Sequence, residues 1–127
     1  MKDNLIDLGA RILMGLIFLL AGLNKIADYE GTQGYMEMFN VPGMLLPLVI
    51  LVEVVGALSL ILGIKARWGA IALAVFTILA GALFHFDLGD QNEVNHLLKN
   101  IAIVGGLLLV VLHGTRDWSL GRKLGWD

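Results

Sequence analysis

Six polar residues stand inside, or within a turn of, long apolar runs: Asn24, Lys25, Glu53, His85, Lys99 and Asn100. Lysine ammonium and asparagine amide groups donate hydrogen bonds to a carbonyl or an anion, whereas a carboxylate or an imidazole can take up and return a proton. Brought together, Lys25 and Lys99 against Glu53 leave a surplus positive charge, which suits an anionic or electron-rich ligand. A plainer reading stands beside it: Glu53 pairs with a lysine only to fix helix register. His85, between Phe84 and Phe86, then serves as an interfacial aromatic.

The elements that must carry these groups follow from composition. Of 127 residues, 57% are hydrophobic and 16% charged, and mean hydropathy is +0.80; ordinary soluble domains have about 45–50% and about 25%. Lipid is therefore the expected solvent. Runs at 8–27, 44–62, 68–86 and 97–112 approach the roughly 20 residues that cross a bilayer as helix. They are continuous rather than alternating, and only a helix satisfies its own backbone within a lone segment. The sequence predicts an all-α, integral membrane four-helix bundle forming a single transmembrane domain over 1–127.

A net charge of −2 gives no electrostatic support for nucleic-acid binding. The absence of cysteine excludes disulfides, thiolate metal sites and iron–sulfur ligation within the chain. With three histidines and no soft ligand, no transition-metal site is expected.

Lysine and arginine set the expected orientation. Lys2, Arg11, Lys65, Arg67, Arg116, Arg122 and Lys123 fall on the side of the termini and only Lys25 and Lys99 on the other, which predicts both termini in the cytoplasm. The outer loop 28–42 is expected to hold a short interfacial helix, capped by Thr32 and presenting Tyr35, Met36 and Phe39 on one face as a lid. The tail 113–127 mixes Trp118, Leu120, Leu124 and Trp126 with Arg116, Arg122 and Lys123, a composition suited to the cytoplasmic headgroup level.

Each span carries a stripe of small and polar residues at helical spacing. These are Arg11, Gly15, Phe18, Gly22 and Lys25; Glu53, Gly56, Ser59 or Leu60, and Gly63; Ala70, Ala74, Thr77, Gly81 and His85; and Lys99, Ala102, Gly106, Leu109 and His113. Small residues let membrane helices approach closely, so these stripes are the expected packing faces. Glu53 would then lie roughly 13 Å below the outer boundary at the helical rise. Lys25, His85, Lys99 and Asn100 would join it in one outer-half cluster, with Thr77 beneath and Tyr35 or His96 above. Arg11, in the opposite leaflet, is expected to snorkel to the interface.

The assembled residues resemble the DoxX family of small four-helix membrane proteins. The resemblance rests on Arg11, the segment from Gly22 to Lys25, Gly31-Thr32, Tyr35-Met36, Val41-Pro42-Gly43 ahead of Glu53, and Lys99-Asn100-Ile101-Ala102 ahead of Gly105-Gly106-Leu107-Leu108. It implies a location in the bacterial inner membrane and, through the family's name, association with a quinol oxidase or thiosulfate:quinone oxidoreductase. Quinone would then be the cofactor, and Lys25 or Lys99, with Asn100, would donate to its carbonyl. Glu53 or His85 would handle the proton. Nothing in the chain carries electrons, so a bound cofactor or a partner redox subunit enters the expectation, and a homo-oligomer is a separate expected assembly. A non-catalytic membrane scaffold and a small transporter component are the competing functions.

Overall fold

A computed structural model describes residues 2–84, 89 and 91–125. Six α-helices follow in chain order: α1 Lys2–Ala27, α2 Tyr29–Met38, α3 Leu46–Leu62, α4 Ala66–Phe84, α5 Gln91–His113 and α6 Leu120–Leu124, with a 3-10 turn at Gly43–Leu45 before α3. No strand occurs among the described residues. Among the described residues, four helical stretches are long and apolar enough to cross a membrane: Lys2–Ala27, Gly43–Leu62, Ala66–Leu83 and Val94–His113.

Local chemistry sets the helix limits. Proline in the first turn of α3 supplies a preset φ where no backbone donor is needed. Gly63 ends the helix in the left-handed region at φ 74°, and its N–H donates to the Ser59 carbonyl at 2.9 Å. The Ser59 hydroxyl then donates to the carbonyls of Ile64 at 2.7 Å and Lys65 at 3.1 Å, bracing the turn into α4.

The bundle is built in sequence: α1 packs on α3, α3 on α4, and α4 on α5, while α1 and α5 barely touch. Three of the expected packing faces are buried. Arg11, Gly15, Phe18 and Gly22 are the buried residues of α1; Glu53, Gly56, Leu60 and Gly63 are buried on α3 and its cap; Ala70, Ala74, Thr77 and Gly81 are buried on α4. Close approach explains the glycines. A Cβ on Gly15 would lie 2.7 Å from Ile61 Cγ1, and one on Gly56 would lie 2.7 Å from Leu73 Cγ.

The fourth stripe is corrected. Lys99, Ala102, Leu109 and His113 are exposed, and the inward face of α5 runs instead through Asn100, Ile103, Val104 and Leu107. α4 already supplies the small residues at this seam, as at Gly81, where a Cβ would meet Asn100 Nδ2 at 3.3 Å and Leu97 Cδ1 at 3.6 Å. Larger side chains on α5 fill that groove, since a seam needs small residues on only one helix to close.

Arg11 is a second correction. Instead of snorkelling it is only 1% exposed, and it donates to the carbonyls of Leu60 at 3.1 Å, Ile61 at 3.2 Å and Trp118, while pairing with Asp7 at 3.0 Å. The last carbonyls of α3 have no intrahelical donors, and a guanidinium with five N–H groups satisfies several at once. The same contact ties the tail to the bundle.

The Ser119 hydroxyl caps α6 by accepting from Arg122 N at 3.1 Å and lies 3.1 Å from the Thr115 hydroxyl. Gly121 sits so close that a Cβ there would be 2.1 Å from the Gly63 carbonyl oxygen. Backbone cannot move aside as a flexible side chain can. Gly121→Ala is therefore expected to cost about 1–3 kcal/mol and to lift α6 from α3. Limited proteolysis in detergent checks this; a tail as resistant as in the unsubstituted protein would refute it.

Candidate functional site

A cleft of about 290 Å³ lies in the half of the bundle away from the termini, with lining residues from α1 to α5. Its apolar wall includes Phe18 of α1, Val49 of α3, Phe76 of α4 and Ile103 of α5. Nearer the termini, α1 and α5 meet where a Cβ on Gly106 would lie 2.1 Å from Met14 Cε. Above that contact the cleft lies between the two helices.

The polar groups collect at one end. Lys25, in the last turn of α1, places Nζ 2.7 Å from Glu53 Oε1, with side-chain exposures of 27% and 3%. Gly22 permits this pairing: a Cβ there would be 2.7 Å from Val54 Cγ2 and 3.4 Å from Glu53 Cβ, so α1 and α3 are nearly in backbone contact at this level. The contact has ion-pair distance without hydrogen-bond alignment, and Glu53 Oε1 has no hydrogen-bond donor among the described residues. A carboxylate this deep is held by charge rather than by directed N–H groups.

Lys99 and Asn100 enter from α5. Asn100 is half-buried and Lys99 exposed at the rim, and neither has a hydrogen-bonding or ionic partner among the described residues. Thr77, buried beneath, donates its hydroxyl proton to the Leu73 carbonyl at 2.7 Å, which leaves it only accepting capacity toward the cleft. Helix α2 crosses the end of the cleft away from the termini and contributes Thr32, Tyr35 and the buried Met36. Thr32 donates to the Asp28 carbonyl at 2.8 Å, and the rings of Tyr35 and Phe39 lie 5.0 Å apart. Gln33 anchors the helix by donating to the Gly43 carbonyl at 3.1 Å.

Four of the five residues expected at the site, Lys25, Glu53, Lys99 and Asn100, thus line one cleft. His85 lies outside the described residues. Asn24 and His96 are exposed and are not among the lining residues. Sequence reasoning missed the aromatic wall of Phe18 and Phe76. The signal was present for Phe18, seven residues before Lys25 on the same helical face. The charged lining groups are Lys25, Lys99 and Glu53, a net of one positive charge.

Comparisons with known proteins place these observations in context. A family model described as DoxX matches residues 6–86. The chain is 44% identical over 115 residues to the inner membrane protein YqjF of Escherichia coli (strain K12), covering 91% of this chain and 88% of that protein. It is 31% identical over 122 residues to the inner membrane protein YphA of the same organism, covering 90% and 86%. No solved structure matches the chain.

Proposed function

Because the chain belongs to the DoxX family, we propose that it acts in the bacterial inner membrane as a redox-linked subunit whose cleft receives a quinone-like molecule. One observation carries this reading: an apolar cleft between two barely touching membrane helices ends in an ammonium and an amide that have no partner among the described residues. A lipid-soluble molecule reaches such a seam from within the bilayer. Its carbonyl end is met by donors, and its tail by Phe18, Phe76 and Ile103.

The residues divide the work. Lys99 and Asn100 would donate hydrogen bonds to a quinone carbonyl. Lys25 and Glu53, already engaged with each other, hold α1 against α3, and Glu53 would exchange the proton. Tyr35 and Met36 close the outer end. A bound quinone would supply two-electron redox chemistry, with the electrons coming from a partner subunit or a further bound cofactor, since the chain has no cysteine for a thiol relay or an iron–sulfur cluster. The lysine and arginine distribution supports cytoplasmic termini.

The Lys25–Glu53 ion pair also favours a second reading, a membrane scaffold in which the polar groups only set helix packing. The two separate cleanly. Purified protein is titrated with a short-chain quinone. A saturable signal that weakens about tenfold in Lys99→Ala, with unchanged thermal stability, supports the cleft as a site; a tenfold change corresponds to about 1.4 kcal/mol. Absence of saturation, or equal affinity in the variant, leaves the scaffold.

A further inference from the structure

The lining of the cleft reaches no nearer the termini than Ile17 on α1, Glu53 on α3, Phe76 on α4 and Ile103 on α5. We propose that Met14, one helical turn below Ile17, is the floor of the cleft and sets how deep a rigid ligand reaches. The nature of that ligand rests on the quinone reading above; the floor rests on packing alone.

Three of the four helices end the cleft in solid core. One turn beyond Glu53, Phe76 and Ile103 stand Ala57, Leu73 and Leu107, each 0% exposed and each part of the core cluster. Because α3 packs on α4 and α4 on α5, helix contact closes the cleft there. The seam between α1 and α5 differs: those helices barely touch, and left to the backbones it would run on toward the termini as a slot. Met14 fills it. Its side chain packs on the core and its terminal methyl occupies the place that a Cβ on Gly106 would take. Glycine at that position lets one side chain from α1 bridge to α5.

The consequence is selection by depth. A volume of about 290 Å³ is at the small end of ligand pockets, which run from roughly 300 to 1,000 Å³. It holds a compact ring whose carbonyl meets Lys99 and Asn100. A flexible tail on that ring turns out into lipid through the α1–α5 seam above Met14, whereas a rigid fused ring cannot turn and meets the thioether. Methionine, unbranched and with three rotatable bonds, fills an irregular gap of this kind without fixing its shape. Small changes in the size of an apolar pocket shift selection by about tenfold or more.

Two measurements on the full chain in detergent test the floor. In the first, quinones of one, two and three linearly fused rings, with the carbonyls on the terminal ring, are titrated. Met14→Ala should raise the ratio of three-ring to one-ring affinity about tenfold, and Met14→Leu, of similar volume, should return it to the wild-type value. The second needs no quinone. The chain has no cysteine, so a single introduced thiol reports its own access to N-ethylmaleimide. Ile103→Cys, in the cleft wall, should react; Leu107→Cys, below the floor, should be protected and should react about tenfold faster once Met14→Ala is added. Should Leu107→Cys fail to fold, Val110→Cys, one turn beyond Gly106, takes its place. Failure of every quinone to saturate overturns the ligand reading and leaves the thiols to decide the floor. The floor is overturned if quinones bind but Met14→Ala leaves the ring-number ratio unmoved, if the thiols at 103 and 107 react alike with Met14 present, or if Met14→Ala leaves the lower thiol protected.

Discussion

Arg11→Met is expected to destabilise the protein by about 3–5 kcal/mol, the range found when one member of a buried charged cluster is removed. The size follows from what is left behind. Arg11 is 1% exposed, and without it the Leu60, Ile61 and Trp118 carbonyls lose their donor together. Asp7 keeps only the Arg116 N–H, at 3.2 Å. Methionine preserves the apolar stem, so the loss reports the guanidinium and not a cavity. Arg11→Lys should recover only part of it, because an ammonium lacks the flat fork that reaches α3 and the tail simultaneously. Chemical denaturation in mixed micelles, followed by helicity, measures the loss. Accelerated proteolysis beyond residue 114 should accompany it, as Trp118 is released. A loss below about 1 kcal/mol would place Arg11 among ordinary surface ion pairs.

Lys25→Met is the second large effect, expected at about 3 kcal/mol. It leaves Glu53, with a side chain 3% exposed, without its cation inside a membrane-spanning helix. An ionised group there costs at least roughly 2.5–3.5 kcal/mol on insertion scales. Removing both charges together, as Lys25→Met with Glu53→Leu, should restore most of the stability, because well-packed apolar pairs commonly equal or exceed buried ionic ones. The double-mutant cycle therefore returns a coupling energy of about 2–3 kcal/mol. Strict additivity of the two changes would show that the two side chains do not depend on one another. Quinone binding by the double variant then distinguishes the roles: affinity kept means that the pair only holds α1 against α3, and affinity lost means that it serves the ligand directly.

Much of this protein was written in its residue order. Apolar runs long enough to cross lipid fixed the class of fold, since a lone segment in hydrocarbon has no other way to satisfy its backbone. The glycine and alanine stripes of α1, α3 and α4 identified three buried faces, because small side chains are useful in a membrane mainly where another helix comes close. Rarity was informative too. A carboxylate in the middle of Leu46–Leu62 demanded a cation, for which Lys25 and Lys99 stood at similar depth, and the structure pairs it with Lys25.

Tertiary structure decided the rest. Periodicity gives the phase of a helix only when one face differs from the others, and α5 offers apolar and small residues on several, so α4 selected Leu107 and Asn100 over Leu109 and Ala102. Arg11 was legible as a charge but not as a clamp, because its acceptors are carbonyls 49, 50 and 107 positions away, and backbone carbonyls leave no mark in a sequence. The same holds for the gap between α1 and α5. Residue types announce which groups must leave lipid; only the mutual placement of helices determines whether they meet each other, a helix end or an open cleft.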